Sequence, residues 1–77
     1  MKLFVWEGCL KTGAYHEDGS AVCIAATLKE AVALLPPKDG MYGYDFQGPA
    51  KKTPPTRVIS VGDAPPQVIL TNAGCDC

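Results

Sequence analysis

Seventy-seven residues, 47% of them hydrophobic, make one small domain with a thin core and exclude a disordered tail. A formal net charge of −1 excludes broad electrostatic attraction to nucleic acid or to an anionic membrane. The one candidate cationic patch is Lys51-Lys52 with Arg57.

The chain starts with Leu3-Phe4-Val5-Trp6, an apolar run too short for a signal-peptide core or a membrane span. It predicts a strand from Lys2 to Glu7, apolar on both alternating faces and therefore central or covered on each side. With no export signal the expected compartment is the cytoplasm, where cysteines are reduced thiols. Gly8 to Gly13 can prolong the strand, with a bulge near Gly8. Asp18-Gly19 is a two-residue hairpin signal, so a second strand over Ser20–Ala26 returns antiparallel to the first.

Thr27 reads as a helix cap, its hydroxyl accepting the Glu30 amide while the Glu30 carboxylate reaches back to the Thr27 amide. Leu28, Ala31, Val32 and Leu35 then form one apolar face, and Pro36-Pro37 ends the helix. Residues 36–55 carry no clean period and read as a long irregular loop. Within it Tyr42, Tyr44 and Phe46 alternate with Gly43 and Asp45, as on a short strand. Arg57–Val61 and Gln67–Thr71 read as strands, with a turn at Asp63-Ala64-Pro65-Pro66. The expected fold is α+β: an antiparallel sheet of 3–5 strands with a single helix on one face, in the order β-β-α-(β)-β-β, over residues 1–77.

Chemistry has few candidates. Cys75-Asp76-Cys77, with Cys9, Cys23 and His16, could make a thiolate zinc set, but the spacing departs from the Cys-x₂₋₄-Cys pairs of structural sites. The single histidine, His16, stands beside a turn, and no nucleophile elbow, phosphate loop or His-Glu-x-x-His helix is present. The Tyr42–Phe46 run offers more. Its three rings, all on one face, either close over the core or supply a protein contact at low entropic cost.

Lys2-Leu3-Phe4-Val5-Trp6-Glu7-Gly8, followed by Ala25-Ala26-Thr27-Leu28-Lys29-Glu30-Ala31, resembles a recurrent type of very short open reading frame of tailed phages and prophages. That resemblance implies a small accessory protein that disables host machinery, with anti-CRISPR proteins as the best-known class. It carries over no site residue. The leading expectation is therefore a phage-encoded, non-enzymatic, cofactor-free inhibitor that occludes a host defence protein. Tyr42, Tyr44, Asp45 and Phe46 would form its contact surface and Lys51 and Lys52 the rim. Two alternatives stand beside it. One is a homodimeric sponge for a nucleotide second messenger, with Lys51, Lys52 and Arg57 meeting phosphates. The other is a zinc or thiol module using Cys75 and Cys77.

Overall fold

The computed structural model of the chain describes residues 1–13, 18–37 and 44–72. Its elements are β1 (Lys2–Leu10), β2 (Gly19–Ala25), α1 (Leu28–Leu34), α2 (Gln47–Lys52), β3 (Arg57–Ser60) and β4 (Gln67–Asn72). The α+β class and the small antiparallel sheet agree with the sequence reading. The single helix does not, because α2 forms within the stretch read as an irregular loop.

β1 and β2 pair from Lys2–Ala25 to Trp6–Ala21, and the register then slips before Leu10–Gly19. The slip surrounds Gly8, whose φ of 59° lies in the left-handed region that glycine enters without penalty. There the Gly8 amide donates to Ser20 Oγ at 2.7 Å, in place of a ladder carbonyl. Gly19 is already paired with Leu10, so Asp18-Gly19 is not the two-residue turn expected. The connection takes up residues 11–18, of which 14–17 lie outside the described residues.

The sheet order is β3-β1-β2-β4, with every pair antiparallel. β3 and β4 are thus opposite edges, although only residues 61–66 join them. Three strand spacings are about 14 Å, and the seven steps from Ser60 to Gln67 reach about 23 Å when extended. A nearly extended link containing Pro65-Pro66 can therefore run along the end of the sheet.

In α1 the Thr27 hydroxyl accepts the Glu30 amide at 3.2 Å, as expected. The Glu30 carboxylate accepts the Ala26 amide at 3.4 Å, one residue earlier than expected. Pro36 forces Leu35 out of the helical region, to ψ 147°, and the helix stops. Ala31, Val32 and Leu35 are buried, but Leu28 is 43% exposed because it faces α2 across a groove rather than the sheet.

α2 starts where first-turn amides find acceptors. The Pro36 carbonyl accepts the amides of Phe46 and Gln47, both at 3.0 Å, and Asp45 Oδ1 accepts that of Gly48 at 2.9 Å. Pro49 falls in the first turn, where its missing N–H costs nothing. Gln47 Nε2 donates back to the Ala33 carbonyl at 3.2 Å, tying α2 to the end of α1. The expected strand over Tyr42–Phe46 is therefore absent from residues 44–46, which lead into a helix. Phe46 and Ala50, four residues apart, bury on helical spacing.

One face of the sheet (Phe4, Trp6, Ala21, Cys23 and Ala25) packs against Ala31, Val32, Leu35, Phe46 and Ala50 of the helical layer. Trp6 is fully buried, and its indole N–H donates to the Thr53 carbonyl at 2.9 Å. Just beyond, the amide and hydroxyl of Thr56 both donate to the Val5 carbonyl, at 2.7 and 3.0 Å, and set β3 beside β1.

Candidate protein-binding surfaces

Among the described residues, Tyr44, Asp45 and Phe46 do not form the expected aromatic contact surface. Phe46 is 2% exposed and belongs to the core, because its helical spacing with Ala50 turns it inward. Tyr44 is half-buried and packs against the same core. Asp45 is committed to its own chain: its carboxylate caps Gly48, and its amide donates to the Thr12 carbonyl at 3.1 Å. Tyr42 lies outside the described residues.

Lys51 and Lys52 are exposed on the last turn of α2, but they border different depressions. Lys51 borders a groove of about 430 Å³ between α1 and α2, lined also by Leu28, Lys29, Val32, Ala33, Gln47 and Ala50. Its lining is mainly apolar, and its two charged residues are the exposed Lys29 and Lys51, with no carboxylate among them. Among the described residues neither lysine is ion-paired. This volume falls in the range of roughly 300–1,000 Å³ usual for binding clefts.

Leu28, Lys29 and Gln47 were not among the predicted site residues. One local signal could have found them. Asp45-Phe46-Gln47-Gly48-Pro49 places a capping carboxylate three residues before an amide and a proline in the first turn, which is how a helix begins. That signal marks α2 but not its packing; the groove with Leu28 and Lys29 on its far side follows from the placement of α2 beside α1.

Lys52 borders a second cleft, of about 390 Å³, together with Cys9, Lys11, Asp45, Gly48, Pro49 and Thr53. Arg57 lies elsewhere, with its Nε 3.4 Å from a Glu7 carboxylate oxygen. Lys51, Lys52 and Arg57 therefore do not converge on one anion within a protomer.

Burial raises both described thiols above their ordinary range. Burial pushes Cys23 up to about 11 from the ordinary 9.0, and its Sγ–H donates to the Ala31 carbonyl at 3.6 Å. Cys9 is also raised, chiefly by desolvation. His16, Cys75 and Cys77 lie outside the described residues, and among those described no three His, Cys, Asp or Glu side chains gather. No helix of the described residues is long and apolar enough to cross a membrane. Set against known proteins, the chain matches no protein-family model, no curated protein and no solved structure.

Proposed function

We propose that this chain is a non-enzymatic recognition module that binds an acidic amphipathic helix of a protein partner in the groove between α1 and α2. The observation that carries the reading is the groove's charge pattern: a mainly apolar lining with Leu28, Val32, Ala33 and Ala50, and two unpaired lysines as its charged residues. A helix laid in such a groove buries apolar anchors spaced at i, i+3 or i+4, and its flanking carboxylates meet Lys29 and Lys51. The apolar lining supplies most of the affinity, since exposed ion pairs contribute about 0–1 kcal/mol each. The lysines mainly select the sign of the partner and speed its encounter. The resemblance of the first third of the chain to short phage frames extends the proposal to a partner in host defence, with a CRISPR effector as its sharpest form.

The test uses a labelled acidic amphipathic helix with leucines at i, i+4 and i+7, followed by fluorescence anisotropy. Saturable binding is expected, weakened at least about tenfold by Lys29→Glu/Lys51→Glu, which removes two attractive pairs and adds two repulsive ones. A lysine-flanked version of the probe should show the reverse preference. Equal binding of both probes, or indifference to the double charge reversal, would sink the groove. The counter-defence form is read from plaque formation on CRISPR-protected cells expressing the chain. Rescue by the wild type but not by the double variant is expected; no rescue by either removes the defence partner and leaves the groove reading to the anisotropy result.

A further inference from the structure

The face of the sheet turned away from the helices carries a second surface. The register places two rows of side chains across all four strands of that face. One row reads Ile59, Leu3, Ile24, Gln67 from β3 to β4, and the other reads Arg57, Val5, Val22, Leu70. Six of these eight positions are aliphatic. A two-layer α+β domain ordinarily alternates apolar-in with polar-out on its open face, so six aliphatics there need a cover. Val5 and Ile24, at the centre, are each 9% exposed and stand outside the core shared with the helices. Ile59 and Leu70, at the margins, are 46% and 53% exposed.

We infer that this face is the interface between two copies of the chain, packed sheet to sheet with the helical layers outward. Three observations favour a second copy over an unrelated occupant. First, the aliphatic positions run across both central strands with the two polar positions, Arg57 and Gln67, at opposite corners, so a second copy of the face meets aliphatic with aliphatic. Second, the face is electrically neutral toward itself. Its only charged position in the two rows is Arg57, already compensated by Glu7 at 3.4 Å, so two copies bring no unbalanced like charges together. Third, the area suffices. The molecule measures 36 × 21 × 21 Å, and the sheet normal crosses only two layers about 10 Å apart, which puts the sheet on a broad side. That side is roughly a fifth of the 4788 Å² surface, on the order of 900 Å², against about 800 Å² per partner in a standard stable interface. The apolar rows then form the dry centre and Arg57, Glu7 and Gln67 the polar rim. Sheet-on-sheet packing of this kind brings two aliphatic faces about 10 Å apart.

The inference is independent of the groove between α1 and α2, which lies on the opposite side and stays open in the dimer. Sedimentation velocity of the full chain in reductant, so that disulfides contribute nothing, should give a species of 16.2 kDa, twice the 8.1 kDa of one chain. Ile59→Asp and Leu70→Asp, each at a half-exposed position, should keep the far-UV CD spectrum. Each alone should weaken dimerisation at least tenfold, and together they should leave a monomer. Lys29→Glu/Lys51→Glu should leave the dimer unchanged. Because Ile59 and Leu70 lie on opposite edges, a dimer joined edge to edge would respond to only one of them, and that outcome would overturn the inference. A wild type monomeric at millimolar concentration, or a dimer that survives both substitutions, would overturn it equally.

Discussion

Cys23 sits at the centre of the sheet's inner face, fully buried against Ala31 of α1. The apolar run Ala21–Ala26 was enough to read it as a small hydrophobe, since a free cysteine flanked by aliphatics in a strand is usually packed as one. Its raised pKa, about 11 against 9.0, links stability to alkaline pH. Above pH 9 the unfolded chain releases this thiol proton while the folded chain keeps it. The stabilisation is therefore complete below 9.0 and is lost as pH rises toward about 11, to an extent on the order of 2 kcal/mol. Urea midpoints of the wild type should fall more steeply between about pH 8 and about pH 10.5 than those of Cys23→Ala. Parallel curves would show that Cys23 carries no such linkage. Phe46 shows the opposite case. Its alternation with Tyr42 and Tyr44 suggested a strand face, yet Ala50 four residues on and the Asp45 cap decide for a helix, and the ring goes inside.

At the scale of elements, α2 is too short to be helical alone, because six residues scarcely repay nucleation. Its start depends on acceptors brought from elsewhere: the Pro36 carbonyl at the end of α1 and the Asp45 carboxylate. Gly48 is part of that device. A Cβ there would collide with Asp45 Oδ2, so any larger residue displaces the capping carboxylate. Asp45→Ala should cost about 1 kcal/mol, as lost caps do. Gly48→Ala should cost less in the Asp45→Ala background than in the wild type, since the collision and the cap are then already gone. Additive costs in thermal or urea unfolding would contradict this coupling. α1, by contrast, was legible almost whole, because Thr27, Glu30 and Pro36-Pro37 mark both ends within its own sequence. Two details differ: the Glu30 carboxylate takes the Ala26 amide rather than that of Thr27, and Leu28 is exposed because a second helix lies beside it.

At the scale of the whole molecule, Trp6 joins the layers. Its ring fills the space between sheet and helices, and its N–H reaches Thr53, 47 residues along the chain. Trp6→Phe removes part of a fully buried ring and strands the Thr53 carbonyl. The expected cost is about 2–4 kcal/mol, a large part of the stability of so small a domain. Equilibrium unfolding measures it, and a loss below about 0.5 kcal/mol would mean that the indole contact is not made. The burial of Trp6 was foreseeable from the two-sided apolar pattern of β1, whereas its partner was not, since nothing local to Trp6 points to Thr53. The two-sided pattern also meant more than it first suggested: helices cover one face of β1, while Leu3 and Val5 lie on the other, outside the core shared with the helices.

The sequence by itself determined much of the local grammar of this protein: the four strands of the sheet, though not the absence of a fifth over residues 44–46, where Gly8 bends the first, how α1 begins and ends, and the α+β class. Those features follow from interactions within a few residues, where spacing and side-chain type are sufficient. Only the tertiary structure decided that β3 and β4 are opposite edges, that α2 exists, that Asp45 and Phe46 serve the fold, and that Lys29 and Lys51 share one groove. Each of these depends on groups far apart in the chain. Pro36 meets Gln47, Leu28 and Ala50 line one groove, and Ile59 and Gln67 align through two intervening strands. Periodicity records which residues want cover, but only the folded chain shows which surfaces are left without it.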